Sequence, residues 1–150
     1  MIEVLLAVVV LAIGLLAGSR MQLLGLSYSQ GALTRSYATM AANDIIDRMR
    51  LNTDGVKAGY YDNANTDSLP GDPNCLNTGC DASQLADTDL YVWGRHFRKS
   101  DAEDAATLLP PGAVGTITQV AGVRRVRVEW NDLVQGNEEN RFIEINVTIQ

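Results

Sequence analysis

Sixteen uncharged residues decide the fold: Val4-Leu5-Leu6-Ala7-Val8-Val9-Val10-Leu11-Ala12-Ile13-Gly14-Leu15-Leu16-Ala17-Gly18-Ser19. As a helix, this stretch is apolar on every face, so it belongs either in lipid or inside a large protein. The rest of the 150-residue chain is too short to enclose it well. The stretch spans about 24 Å at ~1.5 Å per residue, slightly less than a ~30 Å hydrocarbon core. We therefore predict a transmembrane segment over residues 1–20, with Met1 to Glu3 within or at the rim of the apolar layer.

A secretory leader is the alternative for this stretch. Leaders begin with basic residues and end at a small-residue cleavage site, whereas here Glu3 precedes the apolar run and no break follows it. A carboxylate near the end of a membrane segment is costly, and such residues usually have a partner and a function. Two interpretations of Glu3 stay open: it extends to the lipid headgroups, or it pairs with another charge.

Charge and cysteine spacing indicate which partners and which compartment to expect for the rest of the chain. The cysteines predict that it lies outside the cytoplasm. The formal net charge of −6 and the pI of about 4.6 argue against a nucleic-acid partner. Cys75 and Cys80 lack the CxxC spacing of redox sites, and the single histidine cannot complete a zinc site with them. A local disulfide in an oxidising compartment is the best interpretation, and it would stabilise the fold by roughly 2 kcal/mol in the chain-entropy model. No cofactor is implied.

Beyond Arg20 the pattern stays helical but becomes one-sided. Apolar residues recur at three-, four- and seven-residue steps, and Asn52-Thr53-Asp54-Gly55 supplies the stop. We predict one helix from residue 1 to 51, whose amphipathic half over 21–52 is covered on one face. Asp44 and Arg48, four residues apart, are predicted to pair on its outer face. The apolar stripe consists of Leu26, Leu33, Tyr37, Met40 or Ala41, Ile45 and Met49.

The remainder, residues 53–150, is predicted to form an α+β head. A polar loop over 53–88 is followed by a helix over about 87–109, because Leu90, Trp93 and Phe97 share one face and Pro110-Pro111-Gly112 ends it. Strands are predicted over about 114–120, 123–130 and 141–149. The last two alternate apolar with polar residues, which is typical of an antiparallel meander with one buried face. The striped half of the first helix is the expected cover.

Other clusters favour ordinary structural roles. The spacing of Asp62, Asp67 and Asp72 does not fit the alternating ligands of a calcium loop. A Ser/His/Asp set drawn from Ser100, His96 and Asp89 or Asp101 lacks a nucleophile-elbow pattern, so His96 is expected to be solvated or locally hydrogen-bonded. Trp93, Phe97 and Trp130 are expected in the core. The arginines at 124, 125 and 127 could bind an anion or a partner, but the expectation is that they simply lie on the solvated face of a strand. No enzyme is indicated.

The opening Ile2-Glu3-Val4-Leu5 and the apolar run after it resemble the mature amino terminus of type IV pilins. Within them, the chain resembles the PilV family of minor pilins, the type IV pilus modification proteins. The similar segments follow the same order along nearly the whole chain: Val10–Leu16, Asp47–Asn52, Trp93, Leu109–Gly112, Gly115–Ile117 and Val126–Asp132. The basic leader and the glycine–phenylalanine processing junction of that family do not precede Ile2. Either the chain begins inside a longer precursor or its start codon was assigned too late. The membrane helix contains no proline, which fits a minor subunit better than the main filament protein.

This resemblance implies a type IV pilin-like α+β fold and a role in assembly. Glu3 would face the terminal amine of a neighbouring subunit and set the docking register, since a misplaced subunit leaves both charges unpaired. Gly14 and Gly18 would let helix backbones approach closely, or they are simply glycines of the kind common in membrane helices. The expected role is to initiate or prime pilus assembly.

The implied partners are other minor pilins, the major pilin and, before assembly, the inner membrane; a pilus-tip adhesin is a further candidate. The head would lie in the periplasm and later at the cell surface in the pilus. Two other functions stay open: a minor pseudopilin of type II secretion, and a membrane-tethered binding module or adhesin whose loop 53–88 carries recognition.

Overall fold

The computed structural model describes residues 2–75, 79–97, 109–134 and 137–149. Contacts within the chain divide it into two units, Met1–Leu33 and Thr34–Gln150. The helix α1 contributes residues to both units. The elements are α1 (Ile2–Leu51), α2 (Thr53–Lys57), α3 (Ala82–Gly94), β1 (Val114–Val120), β2 (Val123–Val134) and β3 (Asn137–Val147).

The first unit consists of the apolar part of α1. Within the described ranges, α1 is the one helix long and apolar enough to cross a membrane, with a mean hydropathy of 2.5 over its most apolar window. Its aliphatic side chains from Ile2 to Leu16 are exposed. A continuous exposed apolar surface of this kind marks an interaction with a membrane or another protein, which is consistent with membrane anchoring.

Burial along α1 begins later than the apolar stripe predicts. Leu26 and Leu33 are exposed, so their predicted place under the head is wrong. Their spacing is helical, but both belong to the first unit, and the buried cluster of the second unit begins at Ala38. Met40 is exposed whereas Ala41 is buried. The buried residues of α1 are Ala38, Ala41, Ala42, Ile45, Ile46 and Met49.

The helices after α1 begin at side-chain caps. Asn52 ends α1 and caps α2, since its Oδ1 accepts from the Gly55 N–H at 3.1 Å. Asp81 caps α3 and accepts from the Ser83 and Gln84 N–H groups at 2.9 Å each. Gln84 in turn accepts from the Asp81 N–H, which completes a capping box. As a result, α3 begins at Ala82 rather than near 87. It ends at Gly94, and of the predicted extension to 109, residues 98–108 lie outside the described ranges.

The sheet confirms the predicted antiparallel meander, in the order β1-β2-β3. The register pairs Val114 with Glu129 and Val126 with Ile145. Strand β2 extends to Val134 and β3 begins at Asn137, so this hairpin is longer than the alternating pattern predicts. The added residues are mostly polar; main-chain pairing extends the ladder there, and the Asn140 amide donates to Asn131 Oδ1 across it at 3.5 Å.

One core unites the second unit. The inner face of the sheet contributes Ile117 from β1 together with Val126, Val128 and Trp130 from β2, and the three β2 residues are buried as their alternation predicts. Arg124 has the same parity and is also buried, so its predicted place on the solvated face is wrong. Residues Ile143, Ile145, Val147 and Ile149 pack against this core and are half-buried.

Trp93 and Phe97 are core residues, as predicted, and they pack over β1. Their ring centroids are 5.2 Å apart in an edge-to-face arrangement. The Trp93 Nε1–H donates to the Ala41 carbonyl oxygen of α1 at 2.9 Å. Both rings lie over Gly115, where an added Cβ would meet atoms of Trp93 and Phe97 at 2.7 Å. The missing side chain at residue 115 therefore allows the aromatic pair to reach the sheet.

Replacing Gly115 with alanine tests this packing. The added methyl group overlaps two buried rings, so we expect Gly115→Ala to lower the free energy of unfolding by roughly 1–3 kcal/mol. Chemical denaturation in detergent, followed by tryptophan fluorescence, measures the change. Gly71→Ala is the matched control because nothing lies within 4 Å of a Cβ there. Equal stability of the two variants would contradict the packing.

Candidate assembly site

The sequence-predicted assembly residues lie in the first unit. Glu3 is in the first turn of α1 and is exposed. Gly14 and Gly18 are four residues apart, and a Cβ at either position would meet nothing within 4 Å within the described part of the chain. The glycines therefore leave small recesses on one side of an apolar helix, with no partner helix from the described residues in them. Their roles stay predictions.

A buried polar cluster lies in the second unit, where α1 gives way to α2. The Tyr61 hydroxyl donates to Asp89 Oδ2 at 2.6 Å. The Asn52 side-chain amide donates to the Tyr61 oxygen at 2.9 Å and to the Ala82 carbonyl oxygen at 2.8 Å. All three side chains are nearly inaccessible, with exposures of 5% for Asn52, 0% for Tyr61 and 6% for Asp89. Buried groups need such partners, so the cluster joins α1, α2 and α3 in one arrangement.

Arg48 and Asp44 of α1 extend the cluster along α3 to His96, just past the end of that helix. Its guanidinium pairs with Asp44 at 3.1 Å and with Asp89 at 3.4 Å. The Asp44–Arg48 pair is therefore present as predicted, but it also contacts α3 and is only one-third exposed. His96 Nε2 lies 3.3 Å from Asp44 Oδ2. The histidine is hydrogen-bonded as expected, although its partner is distant in sequence rather than local.

The cluster shifts two pKa values. Burial lowers the pKa of Arg48, but hydrogen bonds and charges from Asp44 and Asp89 outweigh it and hold that pKa above its ordinary value. Burial, followed by the hydrogen bond to Asp89, raises the pKa of Tyr61 well above its ordinary value. Tyr61 therefore stays a neutral donor and Arg48 stays charged, which suits a structural cluster.

The described members of the Ser/His/Asp set, His96 and Asp89, bond to different partners. Asp89 contacts Tyr61 and Arg48, whereas His96 contacts Asp44. The predicted Ser100 and Asp101 lie outside the described residues. A cavity of about 250 Å³ lies beside the cluster, and its charged and imidazole groups already pair with one another. It is lined by Tyr37, Met40, Ala41, Asp44, Arg48, Val92, His96 and Leu109.

A second buried ion pair fixes the start of β2. Arg124 donates to Asp62 Oδ1 at 2.9 Å and also to the Val56 carbonyl oxygen. Only 7% of Arg124 is exposed. This contact accounts for one of the three aspartates considered for calcium, and in the described part of the chain no group of His, Cys, Asp or Glu is placed to hold a metal ion.

The disulfide Cys75–Cys80 is present, with a Cα–Cα distance of 5.2 Å. Cys80 immediately precedes Asp81, the residue that caps α3. The covalent loop therefore leads directly into a capped helix. This arrangement agrees with a head that folds in an oxidising compartment.

Comparison with known proteins supports the type IV pilin class. A family model described as "Tt1218-like: Type IV pilin Tt1218" matches residues 20–91, just under half of the chain. No curated protein and no solved structure gives a match. The matched segment contains α1 from Arg20 onward, α2, the disulfide and most of α3.

The match and the architecture together define a type IV pilin-like fold: a long amino-terminal apolar helix, a further helix and a three-stranded antiparallel sheet. They are consistent with a structural pilin subunit. Glu3, Gly14, Gly18 and the sheet lie outside the matched residues, so the interpretation of those elements depends on their own chemistry.

Sequence reasoning did not predict the polar cluster. From the sequence, Asn52 is only part of a helix stop and Asp89 only a candidate for the unsupported Ser/His/Asp set, while no pattern singles out Tyr61. These three residues are spread over 38 positions and form no periodic pattern. The capping box had a signal, because Asp81-Ala82-Ser83-Gln84 fits the spacing of a cap and its reciprocal glutamine.

Removing the central carboxylate tests the cluster. Asp89→Ala leaves the Tyr61 hydroxyl without its acceptor and takes one of the two partners of Arg48, so we expect a loss of roughly 1.5–3 kcal/mol in the free energy of unfolding. The control is Asp47→Ala. It removes an exposed pair with Arg50, which should contribute less than about 1 kcal/mol to the free energy of unfolding. Denaturant titration in detergent compares them. A loss for Asp89→Ala no larger than the control loss would rule out a stabilising cluster.

Alkaline pH tests the state of Tyr61. Because folding raises its pKa, the contribution of Tyr61 to stability is complete below the unfolded value of about 10 and is lost as pH rises through the folded value. Thermal melting followed by near-UV circular dichroism should show a steeper fall for the native sequence than for Tyr61→Phe above about pH 10. Parallel falls in the two proteins would contradict the raised pKa.

Proposed function

We propose that this chain is a minor pilin that helps to initiate or prime type IV pilus assembly, as a structural subunit beside other minor pilins. The observation that carries the proposal is the α1 segment itself: none of the residues of its most apolar window is buried within the chain. Such a surface needs lipid before assembly and neighbouring helices afterwards. The match to a type IV pilin family supports the class, and the similarity of several segments to PilV proteins supports the minor role.

In this proposal α1 exchanges lipid contacts for contacts with the helices of other subunits, and Glu3 selects the register in which it docks. In a low-dielectric surrounding, a carboxylate is stable only when a cation lies beside it, and the terminal amine of a neighbouring subunit is the cation that the fibre offers. A subunit docked in another register leaves two charges unpaired. Apolar contact therefore supplies cohesion, and the single acid supplies register.

The head acts as a rigid body in this scheme. The cluster around Asp89 and the ion pair of Arg124 fix α1, α2, α3 and β2 relative to one another within the second unit. A rigid head presents one surface to the neighbouring subunits, which favours a defined complex with other minor pilins and the major pilin. The inner membrane holds the subunit, with its head in the periplasm, until the subunit is incorporated into the cell-surface pilus.

Substitution of Glu3 in the full-length precursor tests the role of the acid. In a strain lacking the chromosomal copy, Glu3→Ala should reduce the number of surface pili about tenfold or more, since each ~1.4 kcal/mol of lost docking energy is a factor of ten. Glu3→Asp keeps the charge and should restore part of the piliation. Electron microscopy with counting of pili gives the readout, and immunoblotting of membranes controls for subunit amount. Normal piliation by Glu3→Ala would refute the role.

A further inference from the structure

The end of β3 carries a modification motif that the assembly role does not use. Asn146-Val147-Thr148 fits the pattern N-x-T in which an asparagine side chain accepts a glycan. Among the ten asparagines of the chain, Asn146 alone is followed two positions later by serine or threonine. We infer that Asn146 is an N-glycosylation site of the assembled head. The inference depends on the proposed function in one respect, because it needs the head to lie outside the cytoplasm.

The strand aligns the residues that a glycosyltransferase reads. Alternate side chains of a strand point to the same face, so Glu144 and Asn146 form a row on the outer face of β3, and the alternation of exposure continues this row to Thr148 just past the strand. Asn146 and Thr148 are both exposed, whereas the intervening Val147 packs against the core. The row thus presents the acceptor amide and the hydroxyl after it, with a carboxylate two residues before it.

The amide of Asn146 has its nitrogen available. Across the ladder, Asn146 pairs with Arg125, and the Arg125 Nε donates to Asn146 Oδ1 at 3.4 Å. Within the described residues, the Nδ2 atom of Asn146 has no hydrogen-bond partner. Glu144 is engaged by Arg125 at 3.2 Å and by Arg127 at 3.8 Å. An enzyme that reads this carboxylate must therefore replace those arginines with a cation of its own.

The position in the sheet gives an enzyme access to the main chain. Strand β3 lies at the end of the strand order, and its last ladder pair is Val147 with Arg124. Asn146 is the penultimate residue of the strand and Thr148 lies beyond it. The other edge of the sheet, strand β1, is less accessible. The segment at 64–66 pairs with it through hydrogen bonds to Gly115 and Ile117. Strand ends open locally at little cost, so the motif can enter an active site without unfolding the head.

The transfer needs a sugar donor with an activated anomeric carbon, and the membrane anchor favours a lipid-linked one. The co-substrate is a glycan joined to a membrane lipid through a diphosphate. The Asn146 nitrogen forms a bond to the anomeric carbon of the first sugar while the bond from that carbon to the diphosphate oxygen breaks. The lipid diphosphate leaves with the bonding electron pair, and one amide proton passes to a base of the transferase. A subunit anchored in the membrane meets a lipid-linked donor in the same layer.

Mass spectrometry of the full chain from its natural host tests the inference. Trypsin cleaves after Arg141, so the peptide beginning at Phe142 contains the motif. We expect that peptide to carry a glycan mass, which Asn146→Gln and Thr148→Val abolish and Thr148→Ser retains. Asn140→Gln is the matched control, since Asn140 is exposed on the same face of β3 but lacks the motif. Near-UV circular dichroism verifies that each variant is folded.

Two results would overturn the inference. An unmodified peptide in protein recovered from surface fibres would exclude the site while leaving the proposed function intact. A mass that persists in Asn146→Gln but disappears in Thr148→Val would assign the modification to the threonine hydroxyl instead. A chain that is glycosylated at Asn146 yet absent from sheared fibres would support the site and contradict the pilus role, so the two proposals fail separately.

Discussion

The constraint on which the structure depends is that its most apolar segment has no cover within its own chain. The side chains from Ile2 to Leu16 are exposed, and the buried cluster of the second unit begins only at Ala38. Each aliphatic group left in water is unfavourable in proportion to its area. The segment therefore requires lipid or other helices around it. Everything proposed for this chain, from membrane anchoring to fibre assembly, follows from that requirement.

The head solves a different problem, which is to hold a short sheet and three helices in one arrangement. Its core combines small alanines on α1 with large aromatics on α3, and Gly115 allows the two rings to reach the sheet. Buried polar residues also select between arrangements, because any arrangement that leaves a donor or a charge unpaired in the interior is costly. The bonds of Asn52, Tyr61, Asp89 and Arg124 therefore favour one arrangement over others of similar apolar burial.

Local patterns predicted the fold class, and long-range contacts could not be predicted. The alternation of apolar and polar residues predicts the strands, because successive side chains of a strand face the core and the solvent in turn. Val126 and Val128 follow that rule. Arg124 has the same parity, but its buried place depends on Asp62, which lies 62 residues away. Leu26 and Leu33 fit a helical stripe, yet periodicity does not show where the covering domain begins. The role of Glu3 in assembly stays a prediction. It depends on the resemblance of the opening residues to type IV pilins, because a lone acid beside sixteen uncharged residues fits more than one role by itself.

Cell fractionation tests the central claim most directly, namely that this helix leaves lipid for the helices of other subunits. Surface fibres are sheared from cells that express the natural full-length precursor, and fibre and membrane fractions are probed with an antibody to the head. The account predicts the chain in both fractions, and a fibre signal that disappears when the major pilin is deleted. A chain confined to the membrane fraction, or one recovered as a monomer without detergent whose apolar segment is buried in its own head, would contradict it.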